Sequence, residues 1–181
     1  MWRLAKWDEN FATPYWAYLW GGGLALARHV LDVPETVAGC RVLDLGAGSG
    51  LVGIAAAKSG ANDVIAADID RYAVIGAGLN AKANKVRIRT YHGDLTVGPP
   101  PAVDVILIGD LFYEERLARQ VLAFLDRCLE SKILVLIGDP GRAFLPREHL
   151  HLLAEYPGFD FADTHRVEQT KNAVFSLRAA P

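Results

Sequence analysis

At 181 residues the chain has the length of one domain and is too short for two of ordinary size. Hydrophobic residues at 51% and charged residues at 22% provide for a core and exclude a disordered chain. Nineteen Lys and Arg against 21 Asp and Glu give a formal net charge of −2, which argues against a protein that coats nucleic acid and suits a small or cationic partner.

Thr13-Pro14 is expected to open a turn or helix through Trp20, with Pro at its first helical position. Gly21, Gly22 and Gly23 are expected to interrupt it before helical spacing resumes from Leu24 to Leu31. The chain then alternates in kind. Strands are predicted over 41–45, 63–67 and 86–91, with helices over 51–59 and 71–84 between them. Gly98 to Pro101 reads as a rigid connector. A continuous apolar strand follows over 103–108. The helix predicted over 114–129 puts Leu117, Val121, Leu125 and Cys128 on one side. After a buried strand over 132–137, Pro146 is expected to open a helix reaching about Glu155. Two last strands, near Phe159 to Val167 and Ala173 to Leu177, form an antiparallel pair. The five alternating strands imply an α/β fold: a doubly wound, mostly parallel sheet with ligands at the carboxyl ends of its strands. With the hairpin the sheet has seven strands, and residues 1–181 form one domain with an N-terminal lid or helical segment over 1–35.

Cys40 and Cys128 are far apart, with no CxxC and no His at metal spacing, so neither a disulfide framework nor a zinc site is expected. No apolar run reaches about 18 residues, and the first residues lack the apolar stretch of a signal peptide. A soluble, cytoplasmic protein without membrane contact is expected. His149 and His151, two apart, would lie on different helix faces and bind no metal; His29, His92 and His165 read as surface residues.

The segment Val42-Leu43-Asp44-Leu45-Gly46-Ala47-Gly48-Ser49-Gly50 carries the most chemistry. A strand runs into a turn with glycines at alternate positions, where the backbone can turn sharply and admit a ligand closely. The N–H groups of the following helix favour a negative ligand group. The dinucleotide fingerprint GxGxxG would need glycine at Leu51, and the pattern here is GxGxG. Asp44 sits two residues before the first glycine, awkward beside a pyrophosphate and well suited to an α-amino group. Asp68, ending the second strand about 20 residues on, can accept from two ribose hydroxyls. Asp94, after the third strand, is placed to meet an exocyclic amine. Amino acid, ribose and adenine in chain order describe S-adenosylmethionine. Alone, a GxGxG could be only a tight turn, and a Gly-Asp pair likewise.

With these residues in place, the chain resembles the Rossmann-like, seven-stranded class of S-adenosylmethionine-dependent methyltransferases. The likeness runs from VLDLGAGSGLVGIAAAKSGA through VIAADID and NAKANKV to the closing hairpin. It implies a cofactor site of Trp20, Asp44, Gly46, Ala47, Gly48, Gly50, Asp68, Ile69, Asp94 and Leu95. Trp20 would lie over the methionine end of the cofactor. Without the resemblance, Trp16 and Trp20 read as one buried helix face, and Trp2 and Trp7 have no assigned role.

The fourth strand ends in Ile108-Gly109-Asp110-Leu111-Phe112-Tyr113, without the prolines of the turn that grips planar amides and base amines. It is similar to the D/E-x-x-Y/F motif of lysine-methylating enzymes. Residues 14–26, 109–113 and 138–142 are similar to the electron-transfer flavoprotein beta-subunit lysine methyltransferases. That resemblance implies a protein-lysine N-methyltransferase, monomeric, with the flavoprotein beta subunit as its partner. Another protein, a small amine, or cofactor binding without transfer remain the alternatives. Asp110 and Tyr113 are the expected catalytic residues. A lysine ammonium, pKa about 10.4, is neutral in roughly one molecule in a thousand at neutral pH, and only the neutral amine attacks. Asp110 would orient the amine but also raise its pKa, so it cannot be the activating device alone. Phe112 and Tyr113 are expected to desolvate the amine. Asp110 could equally cap the helix that follows, Tyr113 could simply pack, and Asp139 to Arg142 could be only a turn, with Arg142 near the protein substrate.

Overall fold

The computed structural model describes residues 13–158 and 170–178. Trp2, Trp7, His165 and the strand expected near Phe159 to Val167 lie outside them. The strands are β1 (Arg41–Leu45), β2 (Asp63–Asp68), β3 (Arg89–His92), β4 (Val105–Gly109), β5 (Leu134–Asp139), β6 (Leu150–Gly158) and β7 (Thr170–Leu177). They form one seven-stranded sheet in the order β3-β2-β1-β4-β5-β7-β6. β3 through β5 are parallel neighbours; β7 pairs antiparallel with both β5 and β6. The helices are α1 (Gly21–Asp32), α2 (Leu51–Lys58), α3 (Arg71–Ala83) and α4 (Glu115–Glu130). Among the described residues no helix is long and apolar enough to cross a membrane.

Alternation along β1 splits the core in two. Leu43 and Leu45 face one side with Ile106, Ile108, Val135 and Ile137, and α4 covers it with Val121, Phe124, Leu125 and Cys128. Val42 faces the other side with Val105, Leu107 and Leu136, covered by Leu26 and Val30 of α1 and Val52, Ala55 and Ala56 of α2. Asp44 shares the second face by the same alternation. Strand order reverses at β1, because β2 lies on one side of it and β4 on the other, and a crevice opens above their carboxyl ends.

Three expectations are corrected. The segment after Pro146 is a short 3-10 turn (Arg147–His149) running into β6, where a helix was expected to about Glu155. β6 is an edge strand with mostly exposed residues and a register shift between Leu152 and Ala154, so its sequence carries no strand alternation and pairing with β7 decides its conformation. The triple glycine does not interrupt a helix but forms the first turn of α1; before it, only Tyr15–Ala17 make a 3-10 turn, so Trp16 and Trp20 share no helix face. His29 is buried, its Nδ1 3.2 Å from the Tyr156 hydroxyl, where the surface was expected.

The glycines of α1 are explained by what they touch. A Cβ on Gly22 would overlap the Gly138 carbonyl, and one on Gly109 would fall 2.7 Å from the Cα of Gly23. Helix backbone and strand backbone are therefore in direct contact at the carboxyl ends of β4 and β5. Gly22→Ala should destabilise the fold by about 3 kcal/mol, because neither backbone can yield to a methyl group; chemical denaturation of the purified variant measures it.

Candidate active site

The crevice over β1 and β4 is a cleft of about 640 Å³. Its lining includes Trp20, Asp44, Gly46, Ala47, Gly48, Asp68, Ile69, Asp94, Leu95, Asp110 and Tyr113. Eleven of the twelve residues expected from sequence are thus brought together, ten from the ends of four strands and Trp20 from the start of α1. Gly50 is the exception. It caps α2 at φ +80, and a Cβ there would stand 2.8 Å from that of Ala77, so it serves helix packing and lies outside the cleft lining.

Asp44 is 2% exposed, and its Oδ2 accepts from the Gly53 N–H of α2 at 2.7 Å. Burial pushes its carboxyl up to about 7; the Gly53 N–H works against that shift, and the nearby Asp68 adds to it. The fit at Gly53 is tight, since a Cβ would come within 3.1 Å of the same oxygen. Asp68 holds the glycine turn and the next helix at once. Its Oδ2 accepts from the Gly48 N–H and its Oδ1 from the Asp70 N–H, both at 2.8 Å. Burial raises its pKa, with those two N–H groups in opposition. Each oxygen keeps acceptor capacity for a hydroxyl. Gly46 and Gly48, at φ +69 and +53, leave the floor of the cleft without side chains.

Asp94 is exposed and forms a turn, as the Gly-Asp pair allowed: Thr96 donates to Oδ1 from its N–H and hydroxyl, and Gln120 donates to Oδ2. Desolvation opposes its ionisation, but these bonds outweigh it and hold its pKa low. Ile69, 72% exposed, stands at the cleft mouth beside Leu95. Trp16 packs its ring on Gly76 of α3 and its backbone against Gly48; the Trp20 indole donates to the Tyr15 carbonyl at 2.8 Å.

Asp110 does not cap α4, whose N-cap is Glu114. It caps α1 instead, accepting from the Gly23 N–H at 2.6 Å through Oδ2, while Arg142 donates to Oδ1 at 2.8 Å. Its φ of +60 is left-handed, which aspartate tolerates better than most residues. Burial raises its pKa; Arg142 and the Gly23 N–H pull the other way. Tyr113 is 56% exposed at the rim and is not a core residue, whereas Phe112 is wholly buried under the sheet and cannot desolvate an amine in the cleft.

Arg142 is the side chain whose position sequence reading left open. Asp139 Oδ1 accepts from the N–H groups of Gly141 and Arg142, both at 2.7 Å, which folds residues 139–142 into a tight turn. That turn aims the guanidinium into the cleft, 5.5 Å from the Trp20 ring centre. The described lining carries Asp44, Asp68, Asp70, Asp94, Asp110 and Glu114 against Arg142. Such an excess of carboxylates suits a cationic ligand that also bears hydroxyls.

Asp44 sets a pH dependence with a definite sign. Its folded pKa exceeds the unfolded value, so the folded state binds the extra proton and stability is lost as pH rises from about 4 to about 7. Measured by denaturation without ligand, Asp44→Asn should become more stable relative to the wild type across that window, by up to about 4 kcal/mol; parallel curves would remove the assignment.

Comparison with known proteins bears on the chemistry. A family model described as ribosomal protein L11 methyltransferase (PrmA) matches residues 28–109. The chain is 40% identical to the electron transfer flavoprotein beta subunit lysine methyltransferase of Danio rerio, over 97% of this chain and 72% of that protein. The Xenopus laevis protein of the same description is 38% identical over 97% of this chain and 74% of its own length. In fold, the chain superposes on ribosomal protein L11 methylase from Lactobacillus delbrueckii subsp. bulgaricus with TM-score 0.61 and 20% identity, covering 87% and 79% of the two chains. It also superposes on magnesium protoporphyrin IX methyltransferase from Synechocystis PCC 6803 with bound S-adenosylmethionine, with TM-score 0.60 and 16% identity, covering 88% and 80%. With near-full-length identity of this order and the sheet, glycine turn and carboxylates in place, the chain belongs to the electron transfer flavoprotein beta subunit lysine methyltransferase family and is an S-adenosylmethionine-dependent methyltransferase.

Proposed function

We propose that residues 1–181 form a single catalytic domain that transfers a methyl group from S-adenosylmethionine to lysine on the beta subunit of electron transfer flavoprotein. The observation that carries the reading is the charge of the cleft, six carboxylates against one guanidinium among the described lining residues. Both reactants are cationic there, one a sulfonium and the other an ammonium. The two free cysteines suit a cytoplasmic, reducing setting.

In this reading Asp44 accepts from the cofactor's α-amino group, which would keep the buried carboxylate ionised. Gly46, Ala47 and Gly48 form the floor on which the cofactor's methionine part rests, their own N–H groups being taken by the Ala67 carbonyl and Asp68. Asp68 accepts from the ribose hydroxyls, and Asp94, with one acceptor site left on Oδ2, takes the adenine amine between Ile69 and Leu95. Trp20 closes the methionine end. When bound, the cofactor supplies an electrophilic methyl group.

Asp110, at the end of β4, orients the acceptor amine across the cleft, and Tyr113 at the rim hydrogen-bonds or packs beside it. Burial raises the Tyr113 pKa, with Glu114 adding to the shift, so the phenol keeps its proton and can donate. Rate comes chiefly from holding nitrogen and methyl in line.

Two measurements test this. Asp44→Asn should weaken S-adenosylmethionine binding by about 10- to 100-fold in calorimetry, the worth of one hydrogen bond to a charged group. With radiolabelled cofactor and purified electron transfer flavoprotein, the wild type should label the beta subunit. Asp110→Asn, which retains an acceptor for the Gly23 N–H, should lose about 100-fold in transfer while binding cofactor normally. Absence of label with the wild type refutes the acceptor; undiminished transfer by Asp110→Asn refutes the role of Asp110.

A further inference from the structure

An anion that attracts a lysine ammonium also stabilises its proton, and methyl transfer needs that proton gone. The acceptor end of the cleft contains a built answer to this conflict. Asp110 and Asp139 stand at the ends of adjacent parallel strands, where Gly109 and Gly138 are register partners. Both carboxylates are buried. The Arg142 guanidinium reaches Asp110 Oδ1 at 2.8 Å with its side chain only 16% exposed, and the Asp139 carboxylate holds the backbone of the turn from which it extends.

We propose that Arg142 is a positioning residue whose fixed charge, paired to Asp110, lets the acceptor lysine lose its proton inside the cleft. The inference rests on the reading of this cleft as a lysine site. Asp110 offers geometry, as an acceptor held by Gly23 and Arg142, while the guanidinium cancels most of the field by which a bare carboxylate would keep the amine protonated. Arginine suits this because it stays charged at every relevant pH and its planar group rests over the Trp20 ring.

Asp139 opposes Arg142's effect from beneath. On the cleft side Arg142 also acts on Tyr113, which Glu114, Tyr15 and Asp68 face as well. Arg147 is tied to the Gly141 carbonyl at 2.8 Å, and α1 presents only the backbone N–H groups of Gly22 and Gly23. In the transfer itself the ammonium first gives its proton to water. The freed lone pair then forms the N–C bond as the C–S bond breaks, leaving a thioether and a methylammonium.

The test is a pH profile of methyl transfer to electron transfer flavoprotein at saturating cofactor, from about neutrality to about the free lysine pKa of 10.4. Arg142→Gln should move the rising limb upward by about one pH unit, making transfer about tenfold slower near neutrality and equal to the wild type at the alkaline end. Arg142→Lys should keep the wild-type limb, whatever its height. A loss by the same factor at every pH is the signature of a structural role and overturns the inference, as does an unmoved limb.

A second measurement is independent of the acceptor's identity. With S-adenosylhomocysteine present, calorimetric titration of n-butylamine in buffers of different ionisation enthalpy should show proton release on the wild type and none on Arg142→Gln. Equal release by both overturns the inference. A wild type that leaves the flavoprotein unlabelled refutes only the acceptor, since the n-butylamine titration still decides the role of Arg142.

Discussion

The contact that everything else depends on is backbone against backbone, where the first turn of α1 lies on the ends of β4 and β5. Gly22 and Gly23 meet Gly138 and Gly109, and a Cβ on Gly22, Gly109 or Gly138 would overlap the facing backbone. A helix so close must have its first N–H groups satisfied by whatever follows those strands. Asp110 does this for Gly23, at the cost of a left-handed backbone. The same bond that closes the helix end thereby fixes a carboxylate at the mouth of the cleft. A capping role and a place in the active site are one arrangement here, and the residues 14–26 segment is held over the cleft because α1 is anchored beneath it.

The second organising feature is how buried carboxylates are held. Asp44, Asp68, Asp110 and Asp139 each accept from backbone N–H groups of a neighbouring turn or helix. Each is nonetheless raised in pKa by burial, so the N–H groups do not fully replace water. Arg142 supplies a full counter-charge at Asp110. At the other end, Asp44 and Asp68 have no guanidinium within salt-bridge distance among the described residues, so a cationic ligand finds an uncancelled field there. The cleft is thus uneven in charge, with Arg142 offsetting Asp110 at one end and no such counter-charge beside Asp44 and Asp68 at the other.

Much of this was legible beforehand, and for local reasons. β1, β2, β4, β5, α3 and α4 each carry their own period, and the glycine turn with Asp44, Asp68 and Asp94 at successive strand ends orders a ligand along the chain. The failures were equally specific. β6 has no fully buried residue and its alternation is broken between Leu152 and Ala154, so only β7 beside it could reveal it as a strand. Phe112 and Tyr113 are neighbours in sequence with opposite fates, one beneath the sheet and one at the rim. Gly50 belongs to the glycine pattern yet serves the packing of α2 on α3.

Sequence alone therefore determined the fold class, the cofactor and most of the residues expected to line the cleft, because these rest on spacing within strand-turn-helix units. The tertiary structure decided what spans such units. It put Asp110 on a helix 87 residues earlier in the chain, brought Arg142 from beyond β5 to Asp110 beyond β4, and turned a triple glycine from a break into a helix turn packed directly on strand backbone. Interactions of this kind have no period and no motif. They exist only once parallel strands bring their carboxyl ends to one edge.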